Sequence, residues 1–322
     1  MGKTEQERTP KRKGTLAALF RRKGKSQPAE SVTVAEQPKA AGVTESNNPD
    51  SNDNDTNHTQ EHETWVLEQE KQRQELLEQR GEAARNAFMS AGQLNAALWG
   101  IAQHYNYSCA NALIIRWQRP TATRVKSRSA WKAEGRSITK SAGIKVLERE
   151  TYQKSDGSAG YGYVVSVRYD ISQTDKKQES VVVEKLSVPQ LFECLLVNTA
   201  LTYVEKKGTE GIIVDVTQNT VTGYEINCTP LNFLRVVTKI IQAQHPFYAP
   251  HECEAAAWVV CLHEGVVVNF PPNEDGYVDG HPDLRELIAA GLFLDEEEQI
   301  ALLSKIGDAG KHIIRTIHKK SK

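Results

Sequence analysis

The sequence predicts an α+β protein in which a mixed helix and strand region is followed by a mainly helical one, behind a disordered N-terminal region. Three observations carry this. Apolar residues at Leu76, Ala83, Ala87, Leu94, Ala97 and Ile101 recur at helical spacing. Short β-branched and aromatic runs follow at 143–147, at 161–169 with its Tyr-Val-Val-Ser-Val, and at 179–183. The first 64 residues are instead polar and sorted by charge.

That sorting is hidden in the whole chain, where 40 basic and 41 acidic side chains leave a net charge of -1. Residues 1–25 carry nine Lys or Arg against Glu5 and Glu7, a local charge of +7. Residues 29–64 reverse it to -7 and are rich in Asn, Thr, Ser and Pro, so they cannot bury enough apolar surface to offset chain entropy. The arm holds one apolar patch, Leu16 to Phe20, between basic residues. It suits nucleic acid or an anionic lipid face, and equally a solubilising tail. No apolar run approaches the roughly eighteen residues that cross a bilayer, so no integral membrane span is expected. The five cysteines are scattered without a paired CxxC spacing, which fits a reducing cytoplasm.

From Trp65 to Gly81, Glu, Gln, Leu and Arg predict a charged helix, and Gly81, Gly92 and Gly100 divide the helical stretch into two or three pieces. A folded core is therefore expected from residue 82. Between Tyr105 and Arg149 the local charge is +8, carried by Arg116, Arg119, Arg124, Lys126, Arg128, Lys132, Arg136, Lys140, Lys145 and Arg149 against Glu134 and Glu148. Tyr105, Tyr107, Trp117 and Trp131 interleave with these cations. Cations neutralise phosphates and planar rings stack on exposed bases, which is the chemistry of single-stranded nucleic acid binding. Trp117, inside the apolar helix 112–117, reads as core; Trp131 reads as either core or stacking platform. Pro120 ends that helix, Asn111 ties the polar turn before it, and Gly135 and Gly143 permit tight turns.

The order of motifs here resembles the N-terminal domain of ArdC-type antirestriction proteins: residues 107–114, Gln118-Arg119-Pro120, Ala122 to Val125, Trp131-Lys132, Gly135-Arg136, Lys140 with Gly143-Ile144, and Asp170 to Thr174. One departure is Ser141, where the family shows glycine after the lysine. The resemblance implies a single-stranded DNA-binding domain over 82–178, with DNA contacts from Tyr105, Tyr107, Asn111, Arg116, Gln118, Arg119, Arg124, Lys126, Arg128, Trp131, Lys132, Arg136, Lys140 and Lys145. It implies single-stranded DNA as partner, with DNA-transfer or restriction proteins as further ones, in a plasmid or conjugation setting.

In such proteins a zincin-like metallopeptidase domain follows. Residues 252–265 resemble its later helix, with Glu254 in the place of the acidic ligand, and residues 223–226 resemble the hairpin before the metal helix. That helix should lie at 229–244, yet Thr-Pro-Leu-Asn-Phe-Leu-Arg-Val-Val-Thr-Lys-Ile-Ile-Gln-Ala-Gln contains neither histidine nor glutamate. Zinc needs two imidazoles at i and i+4, and the reaction a glutamate as base. Residues 179–322 are therefore expected to be a degenerate zincin-like domain, without zinc or another cofactor and without catalytic residues. Two alternatives stand beside this: a metallopeptidase using His251, Glu252, Glu254 and His263, and an adaptor targeted by its basic arm. Cys253 and Cys261 lie eight residues apart on one helix and read as buried thiols rather than ligands. His104, His281, His312 and His318 sit in no ligand spacing. The acidic run 295–298 marks the first turn of a helix, and the basic end 311–322 is either a further nucleic-acid contact or a solvated last turn.

Overall fold

The computed structural model describes residues 55–139, 142–153, 157–175, 185–206, 212–215, 217–223, 228–270 and 280–319. The basic arm, most of the acidic linker, Lys140, the strand expected at 179–183, the hairpin residues 224–226 and the last three residues lie outside the described residues.

A long helix, α1 (Asp55–Ala87), passes through Gly81 without a break. Glycine costs about 1 kcal/mol in a helix interior, which the turns on either side offset. Here it also admits the first turn of a distant helix, since a Cβ at Gly81 would fall on the Glu296 carboxylate. Ser90 caps α2 (Ala91–Gln103) and Ser108 caps α3 (Cys109–Gln118), each hydroxyl accepting a backbone N–H three residues on. Pro120 follows the end of α3 as expected. The chain then makes β1 (Val125–Lys126), α4 (Arg128–Ala133), β2 (Ile144–Gln153) and β3 (Ala159–Asp170), and closes with a 3-10 turn at Ile171–Gln173. The sheet is antiparallel in the order β1-β3-β2.

The second half is α5 (Val188–Thr199), a small sheet of β4 (Thr202–Glu205), β5 (Ile212–Asp215) and β6 (Thr220–Gly223), then α6 (Pro230–Gln244), α7 (Pro250–Glu264), α8 (Arg285–Leu292) and α9 (Glu296–Ile317). Strand β6 lies between β4, to which it is parallel, and β5, to which it is antiparallel. The chain is thus α+β, as predicted. Asp295 and Glu298 form a capping box for α9, and Arg80 and Arg85 of α1 pair with Glu297 and Glu296 of its first turn. The acidic run therefore satisfies a helix start and an ion-paired contact together.

One core cluster joins residues from Ala83 to Leu113 with residues from Leu191 to Ile317. The expected boundary at 178 thus has buried side chains of both sides in a single core. Helix α9 runs along it, with Ile306, Ile313, Ile314 and Ile317 buried, and Gly307 and Gly310 admit Ile101 of α2 and the Ala256 to Val259 turn of α7. No helix among the described residues is long and apolar enough to cross a membrane.

Candidate nucleic-acid interface

The residues singled out for DNA contact divide into a buried set that builds the domain and an exposed set that could meet a ligand. Asn111 belongs to the first: its Nδ2 donates to the Leu147 carbonyl at 2.8 Å and its Oδ1 accepts the Leu147 N–H at 2.9 Å. Gln118, two helical turns on, does the same for Lys145 at 2.9 Å in both directions. Strand β2 pairs with β3 on one side only, so its other edge carries backbone groups that need partners. Two side-chain amides of α3 supply them. Tyr107 donates its hydroxyl to the Val125 carbonyl at 3.0 Å.

Trp131 is fully buried, and its indole N–H donates to the Tyr169 carbonyl at 2.8 Å. It fastens α4 to the sheet, and no base can reach its face, which Arg124 and Lys126 already cover. Arg136, also buried, donates to Thr174 Oγ1 at 3.2 Å. Neither Trp131 nor Arg136 is thus placed as a contact. Trp117 departs the other way, because the end of α3 turns it outward and leaves it 41% exposed. Tyr105 is half-buried with its ring 4.3 Å from that of His263, and Arg116 is half-buried over the Trp99 ring at 5.0 Å, donating to the Pro120 carbonyl. Arg119, half-buried, caps the end of α3.

The closing motif is a knot of the same kind. Asp170 accepts the backbone N–H groups of Thr123, Arg124 and Ser172, at 2.9, 3.0 and 3.0 Å. Burial raises its pKa, but the Ser172 hydroxyl and these N–H donors outweigh that and hold the carboxyl below the usual range. Gln173 accepts the Asp170 N–H and donates to the Ala142 carbonyl. These polar residues thus hold β1, the 142–144 turn and the end of β3 in register.

What remains exposed is organised by the sheet. Alternation along β3 sends Tyr161, Tyr163, Val165, Val167 and Tyr169 to one side. Their cross-strand partners Thr151, Arg149, Leu147, Lys145 and Lys126 share it. Leu147 and Val165 are covered by Leu76 and Leu77 of α1, whereas Tyr161 and Tyr163 are each 55% exposed. The Arg149 guanidinium lies 3.8 Å from the centre of the Tyr161 ring. At the other end of the sheet Arg128 lies 5.1 Å over the Tyr169 ring and donates to its hydroxyl at 3.1 Å, with Lys132 exposed on the same short helix. Arg124 and Lys126 both pair with Glu134, and the Lys126 hydrogen bond, aided by the Arg124 charge, holds that carboxyl below the usual carboxylate range. Tyr161, Tyr163, Tyr169 and Arg149 were absent from the contacts read off the sequence. Their signal was present as Tyr161, Tyr163 and Tyr169 on one alternation, with Arg149 and Lys126 opposite two of them.

In the second half α6 buries Phe233, Leu234, Val236, Val237, Ile240 and Ile241. The zinc site that the peptidase resemblance implies does not fit this helix, which carries no imidazole or carboxylate. Glu254, half-buried on α7, has its carboxyl pushed up by burial and by the charges of Asp283 and Glu286. The unorthodox site does not assemble either. His251 meets Glu286 at 3.2 Å, Glu252 accepts from Lys305 at 2.6 Å, and His263 sits at the far end of α7, about 18 Å along the axis from His251. Cys253 and Cys261 are fully buried. Lys311 is buried as well and donates to the Tyr107 carbonyl at 2.7 Å, so it is no contact for nucleic acid.

These elements define a mixed α+β protein whose first sheet presents a cationic, aromatic face. No family model matches the chain, and no curated protein matches it. Among solved structures it is similar to the crystal structure of the antirestriction ArdC protein from the R388 plasmid in its Mn(II)-bound form, at 9% identity and a TM-score of 0.42. The match covers 66% of this chain and 85% of that one. A likeness at that level carries no inference about this chain's site.

Proposed function

We propose that this protein binds single-stranded DNA through the side of its β1-β3-β2 sheet that carries Tyr161, Tyr163 and Tyr169, at the ends that α1 leaves uncovered, and that residues 179–322 act as a helical scaffold without peptidase activity. The observation that supports this reading best is the pair Tyr161 and Tyr163, both more than half exposed, with Arg149 stacked on the first and Lys126 and Arg128 beside Tyr169. Bases stack on the tyrosines, while Arg119, Arg124, Lys126, Arg128, Lys132, Lys145 and Arg149 follow the phosphates. A duplex keeps its bases stacked on one another and offers no faces to such a platform, so the single strand is preferred. A role in protecting DNA that arrives on a mobile element rests on the ordered motifs between Tyr107 and Thr174. The reducing cytoplasm is its setting, in keeping with five free cysteines.

The test is fluorescence anisotropy of the full chain with a labelled single strand and a duplex of equal length across a salt series. Stacking is worth about 1–3 kcal/mol per base, so a Tyr161→Ala, Tyr163→Ala double variant should bind about 30-fold more weakly or worse. Each phosphate contact removed should flatten the salt dependence by roughly 0.7 in slope. Glu134→Gln, which releases Arg124 and Lys126, should tighten binding at low salt; Arg235→Ala, exposed on α6, should change nothing. Duplex bound as tightly as single strand, or a double variant that binds like the parent, would overturn the proposal.

A further inference from the structure

The last turns of α7 and α9 bring together three side chains that sequence spacing does not connect. His263 and Glu264 end α7, and His318 caps α9. Glu264 Oε1 lies 2.9 Å from His318 Nε2 and 3.9 Å from His263 Nε2. The three atoms all fall within 4.8 Å of one another. Ligands held at 2.0–2.1 Å around one tetrahedral ion stand about 3.3 Å apart, so these separations bracket what a shared ion requires.

Three further features set this triplet apart from a chance surface cluster. Glu264 is buried, whereas an ordinary acidic surface group is solvated. His263 Nδ1 lies 3.0 Å from the Ala102 carbonyl, and a carbonyl can only accept. The Nδ1 atom therefore carries the proton, and in the neutral ring the lone pair is on Nε2, the atom that faces Glu264 and His318. The ring is also held by its edge contact with Tyr105. Finally, two helix C-termini converge here, and the negative ends of their dipoles favour a cation.

We infer that His263, Glu264 and His318 form a binding site for a divalent transition-metal ion of the zinc class, separate from the helix where a peptidase zinc would sit. Two imidazoles and one carboxylate, without thiolate, suit zinc or a divalent ion of similar ligand preference such as iron or nickel. The half-exposed His318 leaves the remaining coordination positions to water. The ion ties the end of α9 to the end of α7, and through Ala102 to α2. Lys185, whose ammonium reaches Gly265, is the resident cation beside the site, and the metal competes with it.

The experiment is titration calorimetry of the chelator-stripped full chain with zinc chloride alone, with cobalt(II) absorption as a second readout. The expected result is one equivalent of zinc bound, and a visible cobalt band for a tetrahedral or five-coordinate ion. His318→Ala, at an exposed helix cap, should weaken zinc about tenfold or more, as should His263→Ala, while His251→Ala at the opposite end of α7 should leave it unchanged. Lys185→Ala should tighten it. No uptake by the parent chain, or uptake that His318→Ala leaves untouched, overturns the inference.

Discussion

Asn111 offers the sharpest check that the polar residues of α3 build the fold. Replacing it with alanine removes two hydrogen bonds and strands the N–H and C=O of Leu147, a buried residue on the outer edge of β2. An orphaned buried polar group costs about 1–3 kcal/mol, so Asn111→Ala should lose about 2–4 kcal/mol. Gln118→Ala removes the same pair of bonds at Lys145, but at a half-buried position where water can replace them, and should lose only about 1 kcal/mol. Asn111→Asp separates the terms further. Its carboxylate still accepts from the Leu147 N–H but sets a negative oxygen against the Leu147 carbonyl, so at neutral pH it should be worse than alanine. Once protonated it regains a donor. Its folded-state pKa is therefore raised, and the stability it recovers is present at low pH and lost as pH rises. Urea denaturation followed by circular dichroism and tryptophan fluorescence measures all three. A loss below about 0.5 kcal/mol for Asn111→Ala, or equal losses at 111 and 118, would refute the clamp, and a changed salt slope of DNA binding in the folded variant would return Asn111 to the interface.

His104 is buried, and the loss of its hydration, against a smaller opposing pull from Asp170, brings its pKa down to about 4. Above pH 6.5 the folded and unfolded chains both hold it neutral; as pH falls from 6.5 toward 4 only the unfolded chain takes up the proton, so stability is lost across that window, by up to about 3 kcal/mol. The acid limb of a stability profile should be flatter in His104→Gln than in the parent, and identical limbs would count against the assignment. Gly291→Ala would set its Cβ 2.1 Å from the ring of the fully buried Phe88, so it should destabilise by about 1–3 kcal/mol although alanine favours helix. Gly92→Ala, with nothing within 4 Å, should stabilise by up to about 1 kcal/mol, and thermal melts of the pair decide whether contact or propensity governs each site.

Periodicity made the apolar faces legible, and it did so where burial alone decides the outcome. Of the apolar stripe Leu231, Leu234, Val237, Ile240 and Ile241 on α6 all but the half-buried Leu231 are buried, and so are Leu94, Ala97 and Ile101 on α2. The strands at 144–153 and 159–170 extend the runs that were recognised. Polar residues were read less well, for a physical reason. A side-chain amide or a carboxylate has the same appearance in sequence whether it meets a ligand or a backbone group, and the partners of Asn111, Gln118 and Asp170 lie 36, 27 and 47 positions away. Nothing local marks that closure. Trp117, read as core, turns outward, and Trp131, read as either core or platform, turns inward, because both directions depend on where α3 and α4 meet the sheet. His263 and His318 are 55 positions apart and meet only because α7 and α9 end together.

The contacts between halves show what α6 does in the fold. Trp258 of α7 donates to Asn95 of α2 at 2.8 Å, Lys311 of α9 to the Tyr107 carbonyl before α3, and His263 faces the Ala102 carbonyl at the end of α2. Helices α2 and α3 are therefore positioned by α7 and α9, and α6 packs against α7 through its unbroken apolar stripe. Helix α3 in turn supplies the amides that complete the outer edge of β2, and β2 holds Arg149 over Tyr161 across the strand pair. Each link is a packing or hydrogen-bonding demand that needs no metal. The second half supports the sheet through this series, so the apolar pattern of α6 meets a structural requirement of the fold as a whole.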